Sequence, residues 1–481
     1  MRSVVIDKRR DKVNDECGVF GFYNNNDYDI VSLTHDGLFG LQHRGQESAG
    51  ITVIKDREPY TVKDIGIVST VFTEKSLKKL PHGKISVGHV RYTSHDYLDK
   101  AATQPLVMRY IEGSMVLANN GAITNFAEIR TMLERGGAIF QSNSHAEVIG
   151  YMISTHRINS DNIEQAVLKT MEDLKGAYSL VISSPSKLIG LRDPHGFKPL
   201  CIGKLGDSYI ISSESCAIDS IGGEFVRDVN PGEMVVIDEN GFKSYYCDTK
   251  KTTSLCLFEY IYVARPDSII DGVNVNIARQ KAGEILYNED KIEADIVCGV
   301  PDSGLEAAQG YAAASGIKYA TAFIKNKYIG RTPDGVGTDK KLRLLKTRLN
   351  VIKNVVKNKR VVIIDDSIIH GNTSAHIVKI LKDAGASEVH VRISSPEFIH
   401  SCYFGMDLPK SEDLVSNRYD VEALRERIGA DSLKFLSIEG LHKIAEGCNI
   451  GLCDGCFSGV YHADKPKIIF EDKFANKIKK Y

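Results

Sequence analysis

Residues 359–395 read "KRVVIIDDSIIHGNTSAHIVKILKDAGASEVHVRISS". The β-branched run from Val361 to Ile364 stops at Asp365 and Asp366, a loop of small residues opens at Ser367, and apolar residues at helical spacing lead to another apolar run. Strand, loop, amphipathic helix and strand in succession predict a parallel sheet, since parallel neighbours need a crossover between them. Ligands of open α/β sheets bind beyond the carboxyl ends of the strands, where the two acids fall. Gly371, Thr373 and Ser374 allow backbone N–H groups to approach an anion at the mouth of the helix and add hydroxyl donors. The acids suit a sugar diol or water-mediated magnesium, and the loop suits a phosphate. Another strand end, "ADIVCGVPDSG", carries Asp302, Ser303 and Gly304 before a helix-like "LEAAQGYAAASG". Two such turns on one sheet could hold the two ends of a ligand bearing a monophosphate and a pyrophosphate. A Walker loop and a dinucleotide-binding G-x-G-x-x-G after a suitable strand are both absent from the sequence.

Outward from this unit, the remainder divides in two. At 481 residues the chain can bury two cores. Short apolar runs broken by Gly, Asn and Asp fill residues 17–237, among them "CGVFGFY", "AGITVI", "GIVSTVF", "ISVGHVRY", "SMVLANNG", "YSLVIS", "SYIISSES" and "EMVVID". They read as strands of mainly antiparallel sheets, with helices near 125–135, 145–155 and 163–174. This predicts a layered α+β domain ahead of the α/β one, with the boundary near residues 248–254. A short strand is also expected in "YATAFI", and the glycine-rich, charged "NKYIGRTPDGVGTDK" reads as a mobile loop.

Lys plus Arg number 61 against 62 Asp plus Glu, so no global field favours a nucleic acid. The charged N-terminal "MRSVVIDKRRDKVNDE" lacks a secretion signal's apolar core, and no window approaches the roughly 18 apolar residues of a spanning helix. A soluble, unexported, cytoplasmic protein without membrane or nucleic-acid partners is expected.

Two groups of cysteines raise questions of chemistry. In "NDECGVFGF", Cys17 can be a core thiol at the start of a strand or a nucleophile that must first be uncovered. In "EGCNIGLCDGCFSG", Cys448, Cys453 and Cys456 have a spacing compatible with zinc, with an iron–sulfur cluster or with inert packing.

"VVIIDDSIIHGNTS" resembles the phosphoribosyl-pyrophosphate (PRPP) motif of the type I phosphoribosyltransferases. Together with "CGVF", "LQHRGQESAGI" and "RDPHGFKPL", it makes the chain, from about residue 15 to 460, similar to the glutamine PRPP amidotransferases. The resemblance implies a propeptide at 1–16, a glutaminase domain of the N-terminal-nucleophile type at 17–250, and a phosphoribosyltransferase domain with a cluster-binding tail at 251–481. The glutaminase fold of that type has antiparallel sheets sandwiched between helices.

Cleavage after Glu16 would make Cys17 the nucleophile and its own α-amine the base. An amine of pKa about 7.7 to 8.0 can exchange a proton with a thiol of about 8.5 near neutrality. By the same resemblance Arg44 lies close to the nucleophile, Arg91 clamps the glutamine carboxylate, and Asn120 with Gly121 forms the oxyanion hole. Asp302, Ser303, Gly304, Lys325, Tyr328, Arg331 and the loop 365–374 bind PRPP, with Ser303, Asp365 and Asp366 near magnesium. Cys256, Cys402, Cys453 and Cys456 match the ligands of a [4Fe-4S] cluster, leaving Cys448, Cys201, Cys216, Cys247 and Cys298 as packing residues. Purine nucleotide inhibition and a homotetramer or homodimer are also implied.

The sequence departs from the family's pattern at several positions. His145 stands where an Asp would pair with the substrate's α-ammonium, Asn119 replaces a histidine, and Ser94–His95 depart from the small residues usual after Arg-Tyr-Ser/Thr. His370 and Asn372 replace Arg and Thr in the PRPP loop, and the mobile segment lacks the usual Phe-Ile and Pro-Gln. Weaker or altered use of glutamine and looser coupling are the corresponding expectations. They leave two other readings: a relative using mainly free ammonia, and a non-enzymatic phosphoribosyl- or nucleotide-binding regulatory protein.

Overall fold

A computed structural model describes residues 17–92, 100–248, 251–326 and 349–468. The amino-terminal half stacks two antiparallel sheets. Seven strands form the first, in the order 224–228, 201–205, 208–212, 17–23, 85–91, 48–55, 58–65. Six form the second, in the order 241–246, 233–238, 188–192, 179–183, 113–120, 106–110.

Period-two alternation assigns the faces. Along Cys17–Tyr23, Phe20 and Phe22 pack outward with Leu38 and Ala217 beneath helices Ile30–Gly40 and Ser215–Ser220. Val19 and Tyr23 face inward, where they share a core with Val87, Val116, Ala118 and Val181. The second sheet packs its outer face on helices Phe126–Arg135, His145–Arg157 and Ile163–Asp173. Helix, sheet, sheet and helix layers result, in agreement with the expected sandwich.

The carboxyl-terminal half is a parallel sheet in the order Ile296–Gly299, Arg360–Asp365, Glu388–Ile393, Ser432–Phe435. Helices Val275–Glu289 and Leu305–Ser315 cover one face, and Asn372–Asp383 and Val421–Ile428 the other. The tail returns to this half through a short parallel pairing of Leu255–Cys256 with Leu452–Cys453.

One local expectation is corrected. "GIVSTVF" is not a strand: Gly66 has φ +132° and Val68–Val71 is a helical turn, because Val68, Val71 and Phe72 pack into the Phe20–Phe22 core. The short strand expected in "YATAFI" forms at its end. Tyr319 makes a single bridge to Val297, and Phe323–Lys325 pairs antiparallel with Leu349–Val351.

Candidate active site

Cys17 opens its strand opposite Arg91, and Arg91 lies opposite Ser48 on its other side. Alternation puts Cys17, Arg91, His89 and Ser48 on the inner face. In the second sheet Val116, Ala118 and Asn120 also point inward. Tyr23 and Asp238 share a surface groove at one end of the sandwich, so Cys17 and Asn120 lie at the other. His89 bridges the sheets there, its Nε2 3.1 Å from the Asn119 carbonyl. Burial drives the His89 pKa down to about 3, so the ring is neutral, and its Nε2–H donates.

Asn120 is 1% exposed, and neither its side-chain oxygen nor its nitrogen has a hydrogen-bond partner. Gly121 follows at φ +124°, where a Cβ would fall 2.5 Å from the Ala177 carbonyl oxygen. Only glycine fits that turn. His145 begins its helix nearby, with Nδ1 accepting the Ile123 N–H at 3.1 Å and its ring 4.4 Å from Phe126. That bond uses the imidazole's one lone pair, so the neutral ring offers a donor at Nε2. Ser94 and His95 lie outside the described residues.

Arg44 adjoins this end through Gly45, whose Cβ would sit 2.5 Å from the Arg91 backbone nitrogen. Its guanidinium reaches the joint between the halves, donating to Glu214 and, at 2.5 Å, to Glu259. Glu214 also accepts from the Ser268 hydroxyl at 2.6 Å and the Arg265 N–H at 2.9 Å, with His43 Nε2 2.7 Å away. Burial raises the Glu214 pKa, but the Arg44 and His43 fields and the hydrogen bonds outweigh it, holding the carboxyl well below its usual range. Glu214, Glu259 and Ser268 carry no motif, and the sequence reading missed them.

Lys63 and Gln104 were missed as well. Lys63 donates to the Thr103 and Pro105 carbonyls at 2.5 and 3.1 Å, and burial lowers its pKa to about 8. Gln104 Oε1 accepts the Asn119 N–H at 2.7 Å.

In the second half, adjacency of the strands ending at Gly299 and Asp365 brings the two predicted turns together. Ser303 and Ser367 both donate to Asp366, one to each carboxylate oxygen. Asp365 accepts the Asp366 N–H at 3.0 Å, and both acids are buried. Gly304 packs so closely that a Cβ would lie 2.2 Å from the Ile364 carbonyl oxygen. Asp302 pairs with Lys325 at the rim. Gly371, at φ +83°, caps the helix of Thr373 and Ser374, while His370 is buried beside it. Tyr328 and Arg331 lie outside the described residues.

The parallel pairing sets Cys256 opposite Cys453. Cys402, whose sulfur accepts the Phe404 N–H at 3.4 Å, joins Cys453 in one apolar cluster with Phe197 and Phe404. Burial, followed by the fields of Cys256, Cys402 and Cys453, pushes the Cys456 thiol well above its ordinary value. Burial pushes Cys256 up to about 12, a shift to which Cys402 adds. These sulfurs converge from separated segments. Among the described residues, no group of three or more His, Cys, Asp or Glu side chains that could hold a metal ion is found. No described helix is long and apolar enough to cross a membrane.

A two-sheet antiparallel sandwich joined to a parallel α/β sheet is the architecture of a glutamine amidotransferase domain fused to a phosphoribosyltransferase domain. Family models agree: a glutamine amidotransferase domain matches residues 89–220, and a phosphoribosyl transferase domain residues 272–394. The Bacillus subtilis amidophosphoribosyltransferase is 42% identical over 476 residues, 97% of each chain. That of Archaeoglobus fulgidus is 41% identical over 94% of this chain and 98% of its own. The chain belongs to the amidophosphoribosyltransferase family of enzymes. A solved structure of the allosteric regulatory enzyme of purine biosynthesis superposes with TM-score 0.87 at 41% identity, covering 93% of this chain and 96% of that one. The B. subtilis PRPP amidotransferase complexed with ADP and GMP gives 0.86 at 41% identity, covering 93% and 98%.

Proposed function

We propose that the chain makes 5-phosphoribosylamine, glutamate and pyrophosphate from PRPP, glutamine and water, the entry step of purine biosynthesis. The observation that carries this is the buried Asn120 amide, unpaired on both atoms, at the end of the sandwich where Cys17 opens its strand. A buried amide left without bonds costs about 1–3 kcal/mol, a cost a fold retains where a substrate supplies the bonds.

Removal of residues 1–16 exposes the Cys17 α-amine. The Cys17 thiol passes its proton to that amine and attacks the side-chain carbonyl carbon of glutamine. Asn120 and the Gly121 N–H hold the oxyanion, and Arg91 holds the α-carboxylate. As the C–N bond breaks, the amine returns the proton to the leaving nitrogen, and ammonia departs from a thioester that water hydrolyses to glutamate. Ammonia then attacks C1 of PRPP and displaces pyrophosphate, with Asp365 and Asp366 on the sugar hydroxyls and the 371–374 turn on the phosphate. The residues Ser303, Asp365 and Asp366 would hold magnesium, which supplies charge neutralisation to the departing pyrophosphate.

Cys256, Cys402, Cys453 and Cys456 would hold a [4Fe-4S] cluster that staples the tail. The pairing of Cys256 with Cys453, and the place of Cys402 beside Cys453 in one apolar cluster, support a thiolate donor set drawn from separated segments. Purine nucleotides inhibit at the transferase half in this reading, and the chain assembles as a homodimer or homotetramer. The ADP and GMP of the B. subtilis structure support nucleotide regulation.

One observation favours a second reading, a transferase fed mainly by free ammonia. The His145 lone pair is used by Ile123, so that side chain offers an α-ammonium group neither charge nor an acceptor. The test is glutamate and pyrophosphate release by anaerobically purified protein with magnesium, with glutamine or ammonia as donor and with Cys17→Ala as control. Matched yields from glutamine, lost in Cys17→Ala, are expected. Pyrophosphate from ammonia alone selects the second reading.

A further inference from the structure

The turn after Asn120 is held from two sides by side chains. Toward residues 175–177 its bonds are backbone ones: the Ala177 N–H donates to the Ala122 carbonyl at 3.1 Å, and the Thr124 N–H to the Lys175 carbonyl at 2.8 Å. These bonds flank the antiparallel bridge between Ile123 and Gly176, which makes it a non-hydrogen-bonded pair with the Ile123 N–H directed away. A backbone donor so directed needs another acceptor, and His145 Nδ1 supplies it at 3.1 Å. The Gly121 carbonyl takes the Asn119 Nδ2–H at 2.9 Å.

Both holding residues are themselves fixed. Asn119 is bound through its N–H to Gln104 and through its carbonyl to His89. His145 sits on the first position of a helix capped by Ser144, whose Oγ accepts the Ala146 N–H at 3.2 Å, with its ring against Phe126.

The geometry points to Asn119 and His145 as positioning residues of the oxyanion turn, holding residues 121–123 so that the Asn120 amide and the Gly121 N–H keep their aim. Neither residue needs to touch glutamine for this role. The inference rests on the glutaminase reading of Cys17. It predicts an effect on the chemical step, where the developing charge is met, with ground-state binding little changed.

The full-length holoenzyme tests this with His145→Ala, His145→Asn and Asn119→Asp. An Asn side chain presents an oxygen acceptor near the place of Nδ1, whereas Asp removes the donor to Gly121. His145→Ala and Asn119→Asp are expected to lower kcat for glutamine hydrolysis at least about tenfold with KM within about threefold, and His145→Asn to stay close to the parent. The ammonia-dependent rate, unchanged in all three, reports that the chain is folded. Amide exchange at Ile123 should quicken at least about tenfold in His145→Ala and not in His145→Asn. A raised KM at constant kcat, or Ile123 exchange unchanged in His145→Ala, overturns the assignment. If the parent makes no glutamate, the glutamine reading fails by itself, and Ile123 exchange still decides whether His145 holds the turn.

Discussion

Arg44 of the amino-terminal half and Glu259 of the carboxyl-terminal half form an ion pair 2.5 Å long in which neither side chain is more than 1% exposed. Glu214 completes the group on the Arg44 Nε. One guanidinium therefore serves two buried carboxylates at the joint between the halves.

Unequal costs follow from that stoichiometry. Arg44→Met leaves two carboxylates buried together, and uncompensated charge of this kind costs about 3–5 kcal/mol. Glu259→Gln keeps an oxygen for Arg44 and leaves a balanced pair with Glu214, so a loss under about 1.5 kcal/mol is expected. Thermal denaturation of the two variants checks the contrast. Equal losses would show that Glu259 carries the pairing and Glu214 does not.

Acid and base limbs of stability should have different owners. Glu214 has its folded pKa held well below the ordinary carboxylate value by Arg44 and His43 against the pull of burial. Its contribution is therefore present above about pH 4.5 and lost as the pH falls. Asp228 is the reverse: burial, then the nearby Asp271, push it up to about 7 although Arg192 opposes them. Its folded form keeps a proton that the unfolded chain releases, so stability is full below about pH 4 and declines as the pH rises toward 7. Asp228→Asn is expected to gain about 1–3 kcal/mol at pH 8 and less at pH 5, read as a melting-temperature difference of a few degrees. A constant difference across that range would assign the effect to packing.

Gly121→Ala separates the two reactions. Its Cβ would stand 2.5 Å from the Ala177 carbonyl oxygen at a φ of +124°, so the turn must move and the proposed oxyanion donors with it. Loss of one such donor costs roughly 100- to 1,000-fold in kcat. Glutamate formation should fall by that order while the ammonia-dependent rate stays within about twofold, measured as pyrophosphate release.

Burial, then the fields of Cys256, Cys402 and Cys453, push the thiol of Cys456, one of the four proposed cluster ligands, well above its ordinary value. Cys456→Ser is expected to lose most iron and acid-labile sulfide from anaerobically purified protein and to release the tail to proteolysis near residue 452. Iron retained at parental stoichiometry would remove Cys456 from the ligand set.

The difference between what was legible in the sequence and what was not follows the range of the interactions. The Asp365 strand and its loop were readable because a β-branched run, two acids and small residues encode strand, ligand end and helix mouth within fifteen positions. Cys17 and Asn120 were located by motif, and alternation alone then turned them toward one another. "GIVSTVF" misled because β-branched composition reads as strand, while its place under Phe20 and Phe22 is set by tertiary packing. Glu214 and Glu259 were invisible: each is an ordinary acid until the chain brings it to Arg44 from 170 and 215 residues away. His145 was flagged as a missing charge, but its bond to the Ile123 N–H, 22 residues back, depends on how a helix start meets a turn.

Asp366 gives the sharpest test of the second half. Its two carboxylate oxygens accept from Ser303 and Ser367, hydroxyls on loops that follow neighbouring strands, so one carboxylate fixes both turns of the proposed PRPP site. Asp366→Asn leaves one oxygen to accept and places an amide N–H₂ against the other hydroxyl, which must then turn to accept. Both turns should loosen together. The expected result is a loss of about 10- to 100-fold in kcat/KM for PRPP, the same with glutamine or with ammonia as donor. Stability should change by less than about 2 kcal/mol, since the hydroxyls can rotate. Ser303→Ala, which removes only the link between loops, should reproduce part of that loss; if it leaves kcat/KM at the parental value, the carboxylate acts on the ligand directly and does not work by joining the two turns.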